Sequence, residues 1–218
     1  VMTSKKSAAS FFREYPWLWV FAGSIVMWLI MCVMSGKFSI GSLQANMIAA
    51  SFLAFVAIGQ MFVVTTGKGA MDLSIPGAIT LGAFLNVTLI DGDPSKIGIG
   101  ILGTIAAGIV IGLFNSFSVL TLQIPPMIAT LAVNYILGTA ALLLNNKMGA
   151  PSLVQAPSLV FIATGKTLGI YNMVIIVTIL TIVATFLLRK TTYGKSIIAL
   201  GQNELSAHFA GVKTNRVQ

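Results

Sequence analysis

Six apolar runs, each closed by a polar or glycine- and proline-bearing break, constrain this chain more than any other feature. They lie at 17–34, 47–66, 75–90, 97–122, 127–144 and 170–188. A helix needs about 20 mainly apolar residues to cross the hydrocarbon core of a bilayer. Of the 218 residues, 56% are hydrophobic and only 8% charged, where a water-soluble domain carries about 25% charged residues. A soluble fold this poor in charge could not clothe its surface. The sequence reads as an all-α integral membrane protein, a multi-span helical bundle.

The formal net charge is +8. The basic residues sit at the two ends and between the runs, which suits anionic lipid and membrane orientation. No basic and aromatic surface for nucleic acid is present. With a cytoplasmic N-terminus, the inner segments hold Lys5, Lys6, Arg13, Lys68, Arg189, Lys190, Lys195, Lys213 and Arg216. The outer ones hold Lys37, Lys96, Lys147 and Lys166. That excess predicts the orientation. Lys5, Lys6 and Arg13 before an apolar run resemble a signal peptide, but the run is long enough to span and no small-x-small site follows clearly. It reads as a retained first span, with Trp17 and Trp19 at its interface. Cys32 is the single cysteine; it can form neither an internal disulfide nor a structural metal site, and reads as a small buried or lipid-facing residue.

Two breaks carry polar chemistry. In Thr65–Gly77, Gly67 and Gly69 stop one helix, while Asp72, Ser74 and Pro76 start another. Asp72 is the only carboxylate beside an apolar run and outside an obvious solvent loop. It reads either as an intramembrane functional group, in the manner of broken transporter helices, or as a cap satisfied by Lys68 or backbone N–H groups. The second break is Gln123-Ile124-Pro125-Pro126. Between them, Gly108 and Gly112 form a GxxxG spacing for close helix approach. Gly98-x-Gly100-x-x-Gly103 has dinucleotide-loop spacing, but inside an apolar run it reads as packing glycine. The amides Gln60, Asn86, Asn115 and Asn134, with several threonines, suit either a wet path for a neutral polar solute or interhelical hydrogen bonds. Residues 145–169 read as a longer polar segment with Pro151 and Pro157. No nucleophile–base set appears, so neither an enzyme nor a cofactor is expected. His208 stands alone and reads as a solvent-facing helix residue.

After Arg189 and Lys190 the chain leaves the apolar pattern. Asn203 is a good N-cap with Glu204 at the positive end of a short helix. Gly211 is a good C′ residue followed by Val212. Leu205 and Phe209, four apart, share a face. Some two turns of helix do not hold alone in water, so this one lies on the bilayer or docks on a partner.

Tyr193-Gly194-Lys195-Ser196, Ala199-Leu200-Gly201-Gln202-Asn203-Glu204, Ala207 and Ala210-Gly211-Val212 resemble the cytoplasmic coupling loop of ribose-type ABC importer permeases. Gly69-Ala70-Met71-Asp72-Leu73-Ser74 is similar to that family's Gly-Gly-Ile-Asp-Leu-Ser, with Ala70 replacing the second glycine. Asn115-Ser116 and Pro125-Pro126-Met127-Ile128-Ala129-Thr130-Leu131 resemble a third segment, with Met127 in place of Phe. The resemblance implies one permease domain over 1–218 with broken helices and a coupling loop at 189–218. It implies a multi-pass protein of the bacterial inner membrane that translocates a sugar or sugar-like neutral solute by ATP-driven alternating access. The coupling residues are then Gly201, Asn203, Glu204, Leu205, Ala207, Phe209 and Gly211, docking on a separate ATPase subunit. Candidate path residues are Gln60, Asp72, Ser74, Asn115 and Asn134. The implied partners are that ATPase, a second or homologous permease, an extracytoplasmic solute-binding protein and the bilayer. Members of that family are longer, so the chain is expected to be partial. The competing expectation is a secondary transporter or channel with Asp72 as an ion or proton site.

Overall fold

The computed structural model describes Tyr15 and residues 17–36, 40–67, 69–148 and 156–214. Lys5, Lys6, Arg13, Lys37, Lys68, Pro151 and Arg216, used above, lie outside these residues. The chain forms two compact units, Val1–Met47 and Ile48–Gln218.

In the first unit, α1 (Trp17–Ser35) is almost wholly apolar. Its hydroxyls turn back on their own backbone: Ser24 Oγ donates to the Val20 carbonyl at 2.8 Å and Ser35 Oγ to that of Cys32 at 3.2 Å. Gly36, at φ +62°, ends the helix. Helix α2 spans Ile40–Thr65. It therefore begins well before the apolar run 47–66, because Ile40, Leu43 and Met47 supply an apolar residue nearly every turn.

The second unit continues with α3 (Ile75–Ile90), a 3₁₀ turn at Pro94–Lys96, α4 (Ile97–Ser116), a π turn at Phe117–Thr121 and α5 (Pro126–Met148). By length and composition, five helices among the described residues can cross a membrane; α3 is shorter. Its 16 residues reach about 24 Å at 1.5 Å per residue, less than the roughly 30 Å hydrocarbon core. The run 75–90 is thus a helix that needs the non-helical residues before it to complete a crossing. Such backbone is tolerated at membrane depth only where protein or a wet cavity surrounds it.

Helix α3 packs on both α4 and α5. From α5, Ala129, Val133, Leu137 and Ala141 are buried at a spacing of four and form one face. From α4, the close contacts are at Gly100 and Gly103, where an added Cβ would stand 2.5 Å from Ile90 Cγ1 and 2.4 Å from Leu89 Cδ1. Gly108 and Gly112 meet nothing within 4 Å. The GxxxG pair is therefore not where these helices touch. The two helices run antiparallel out of a short turn, and their closest approach falls in the first two turns of α4.

Past the π turn, Gln123 adopts φ +58° and Pro126 opens α5. The described residues from Ala156 onward hold more regular structure than the polarity of 145–169 predicts. They carry α6 (Pro157–Thr164) and a hairpin of β1 (Lys166–Thr167) with β2 (Ile170–Tyr171), paired Lys166 to Tyr171 and Thr167 to Ile170. Both turn residues, Leu168 and Gly169, have positive φ (54° and 80°), the twist a two-residue hairpin requires. Asn172 fastens it by donating to the Phe161 carbonyl and accepting from Thr167 Oγ1. Helix α7 (Asn172–Lys190) then runs to α8 (Thr192–Gln202) and α9 (Glu204–Phe209). On α7 the hydroxyls of Thr178, Thr181 and Thr185 each donate to the carbonyl four residues back.

Candidate functional site: a broken helix beside a capped helix pair

The non-helical residues 69–74 are held by side chains from elsewhere. An α-helix begins with orphan N–H groups; at the start of α3 one of them, and one in the residues just before it, find remote side-chain partners. Ser74, at the N-cap position, gives its N–H to Asp72 Oδ1 at 2.8 Å. Pro76 has no N–H to satisfy. Gly77 N–H is taken by Asn134 Oδ1 of α5 at 2.7 Å. One residue before Ser74, Leu73 N–H donates to Thr130 Oγ1 at 3.0 Å, and Thr130 in turn donates to the Pro126 carbonyl. Ser74 makes no side-chain cap. Its hydroxyl instead donates to Asp72 Oδ1 at 2.6 Å and accepts from Asn115 Nδ2 at 2.8 Å. That order fixes the Asn115 amide and leaves its buried Oδ1 with no hydrogen-bond partner.

The same Asp-x-Ser device recurs at the other end of α3. Asp93 Oδ1 accepts from Ser95 Oγ at 2.8 Å and Ser95 N at 2.9 Å. There it is exposed, and the Ser95 hydroxyl, the Ser95 N–H and nearby Lys96 hold the Asp93 carboxyl below the usual carboxylate range. At Asp72 the device is half-buried, and a third group, Asn115, extends it across to α4.

A cavity of about 920 Å³ opens beside this network. Asp72, Asn115 and Thr130 border it, and so do Tyr193, Ile197 and Glu204 of the C-terminal segment. The chain has only five acidic residues, and two of them, Asp72 and Glu204, border this one space.

The C-terminal segment is a pair of helices. Thr191 caps α8 by accepting from Gly194 N–H at 3.1 Å. Gly194, Ile197 and Leu200 are buried three apart, so α8 lays one face on the bundle. Gly194 is required at the corner, because a Cβ would stand 2.2 Å from the Leu187 carbonyl oxygen. Asn203 caps α9 by accepting from Ser206 N–H at 3.0 Å. At the far end, Gly211 N–H donates to His208 O and Val212 N–H to Ala207 O, both at 3.0 Å. With Gly211 at φ +85°, this is a Schellman ending. Both ends are satisfied and Ala207 is buried, yet Leu205 is 67% exposed and Phe209 80% exposed.

Of the path candidates, Asp72, Ser74 and Asn115 form one hydrogen-bonded chain. Asn134 clamps the start of α3 and does not border the cavity. Gln60 stands apart from the cavity, its buried Oε1 without a partner. Asn86 donates to Thr104 Oγ1 at 3.4 Å. Thr130 is not among the path candidates, although it lies in the third resembling segment and shares a helix phase with Asn134, four residues on.

No solved structure matches this chain. It is 28% identical over 177 residues to the L-arabinose ABC transporter permease protein AraH of Azospirillum brasilense, covering 81% of this chain and 51% of that protein. It is 32% identical over 162 residues to the galactofuranose transporter permease protein YtfT of Escherichia coli, covering 74% and 46%. To the autoinducer 2 import system permease protein LsrD of Yersinia enterocolitica it is 26% identical over 216 residues, covering 94% and 63%. The chain thus spans about half to three fifths of the length of these relatives. Residues 42–218 match the family described as branched-chain amino acid transport system, permease component. The kinship read from the coupling loop and the two breaks holds, and with the helices long enough to cross a membrane it makes this multi-pass chain a member of that permease family.

Proposed function

We propose that this chain is part of the membrane-spanning subunit of an ABC importer of the bacterial inner membrane. Its N-terminus is cytoplasmic, and it brings a sugar or sugar-like neutral polar solute inward by ATP-driven alternating access. One observation carries the reading: α9 is capped at both ends and offers Leu205 and Phe209 outward. A six-residue helix so finished, with its apolar pair unburied, fits a receiving groove on another protein. That protein is a separate ATPase subunit; a second permease copy and an extracytoplasmic solute-binding protein complete the assembly. The relatives' names support a small hydroxyl-bearing cargo. Asp72 gives Oδ1 to its own turn, which favours a positioning role over an ion site.

The test is deletion of Asn203–Ala210 in the full-length protein. Solute uptake and co-purification of the ATPase subunit should both be lost. Survival of both would refute the reading.

A further inference from the structure

The end of α2 and the end of α8 meet main chain to main chain. A Cβ at Gly201 would stand 2.0 Å from the Thr65 carbonyl oxygen and 3.3 Å from Gly67 N. A Cβ at Gly67 would stand 2.8 Å from both Cα and O of Gly201. These obstacles are backbone atoms, which cannot swing aside as a side chain does. Gly67 also sits at φ +81°, where a residue with a side chain is strained.

The two glycines occupy strategic places. Gly201 is two residues before Asn203, the N-cap of α9. Gly67 follows the last turn of α2, and its carbonyl accepts from Ala70 N–H at 2.9 Å, leading into the stretch that ends at Asp72 and Ser74. Packed contacts without flexible side chains move together rather than deform.

We infer that Gly67 and Gly201 are positioning residues forming a bearing through which displacement of α9 reaches the 69–74 break, and hence the Asp72–Ser74–Asn115 chain. The inference rests on the proposed docking of an ATPase on α9. It assigns a route from that dock to the broken helix. The corner at Gly194 supports it, since close packing on Leu187 and Leu188 makes α8 a stiff lever on the end of α7.

The experiment uses the full-length permease with its ATPase subunit in membranes, in a Cys32→Ser background. Ala70→Cys reports on the break through its rate of reaction with a water-soluble maleimide, with and without ATP plus vanadate. With Gly201 intact the rate changes severalfold on nucleotide trapping. With Gly201→Ala the ATPase still co-purifies, because Gly201, expected from the resemblance among the coupling residues, instead packs against Thr65 and Gly67 and its replacement leaves Leu205 and Phe209 untouched, but the nucleotide-dependent change is lost. Gly108→Ala, where the structure is open, keeps it. An unchanged response in Gly201→Ala overturns the inference. Should Gly201→Ala fail to fold, hydrogen exchange on the unaltered complex decides. Altered protection at both 199–210 and 65–73 on ATPase binding supports the route. Alteration confined to 199–210 overturns it. No alteration in either stretch overturns the docking itself, and the inference with it.

Discussion

Replacing Asn134 by alanine removes the acceptor of Gly77 N–H, a bond of 2.7 Å that joins α5 to the start of α3. A buried donor left unsatisfied costs about 1–3 kcal/mol in general, while interhelical hydrogen bonds in membranes average about 0.6 and reach about 1.7. Gly77 is buried and lies near the first turn, where no carbonyl of its own helix is available. Asn134→Ala should therefore lower stability by about 1 kcal/mol, roughly a fivefold shift in the folding equilibrium. Gly77→Ala attacks the same joint sterically. Its Cβ would stand 2.8 Å from the Asn134 backbone oxygen, 2.9 Å from Oδ1 and 3.0 Å from Leu137 Cβ. Only one of those obstacles is a side-chain tip, so α3 and α5 must part, at a cost of about 1–3 kcal/mol. Combining the two removes the Oδ1 obstacle but not the others, so the double variant should lose less than the sum. Unfolding of the full-length protein by sodium dodecyl sulfate in mixed micelles, followed by circular dichroism, measures all three. The reasoning fails if Asn134→Ala matches the unaltered protein while Gly77→Ala is as mild as Gly108→Ala.

Leu205→Asp and Phe209→Asp should leave stability within about 0.5 kcal/mol, since both positions are exposed, yet weaken ATPase co-purification at least several-fold. Asn203→Ala removes the cap on Ser206 N–H and should cost α9 about 1 kcal/mol, seen as faster hydrogen exchange at Ser206. Gly194→Ala forces a Cβ into the Leu187 and Leu188 backbone and should separate α8 from α7, lowering the thermal midpoint more than any of these. The bonds that hold the Asp93 carboxyl below its ordinary range make its contribution complete above the unfolded aspartate value. It is lost as pH falls through the lower folded value. Asp93→Asn should remove that acid-side decline below about pH 4 in a melting series.

The apolar runs were legible because lipid demands length and near-absence of charge, and both can be counted. The ends of α9 were legible because Asn203 and Gly211 are local devices whose partners lie within four residues. Helix α8 was not, since its buried face consists of a glycine, an isoleucine and a leucine three apart, too little greasiness to stand out. Nor was α6 with its hairpin, which hides in a stretch of mixed polarity. The site was half legible. Asp72, Ser74 and Asn115 announce themselves by chemistry, but nothing in a sequence pairs Gly77 with Asn134, 57 residues away. Ser74 stands at the start of α3 as read, but its hydroxyl is engaged by Asp72 and Asn115 rather than by the helix's own N–H groups.

Thr178, Thr181 and Thr185 have one more consequence. With each O–H folded onto the carbonyl one turn behind it, α7 spends those three donors within itself and is left with methyl groups and hydroxyl oxygens at these positions. Each oxygen keeps its lone pairs but has no proton left to offer a neighbour, so polarity counted from the letters overstates the donors on that helix.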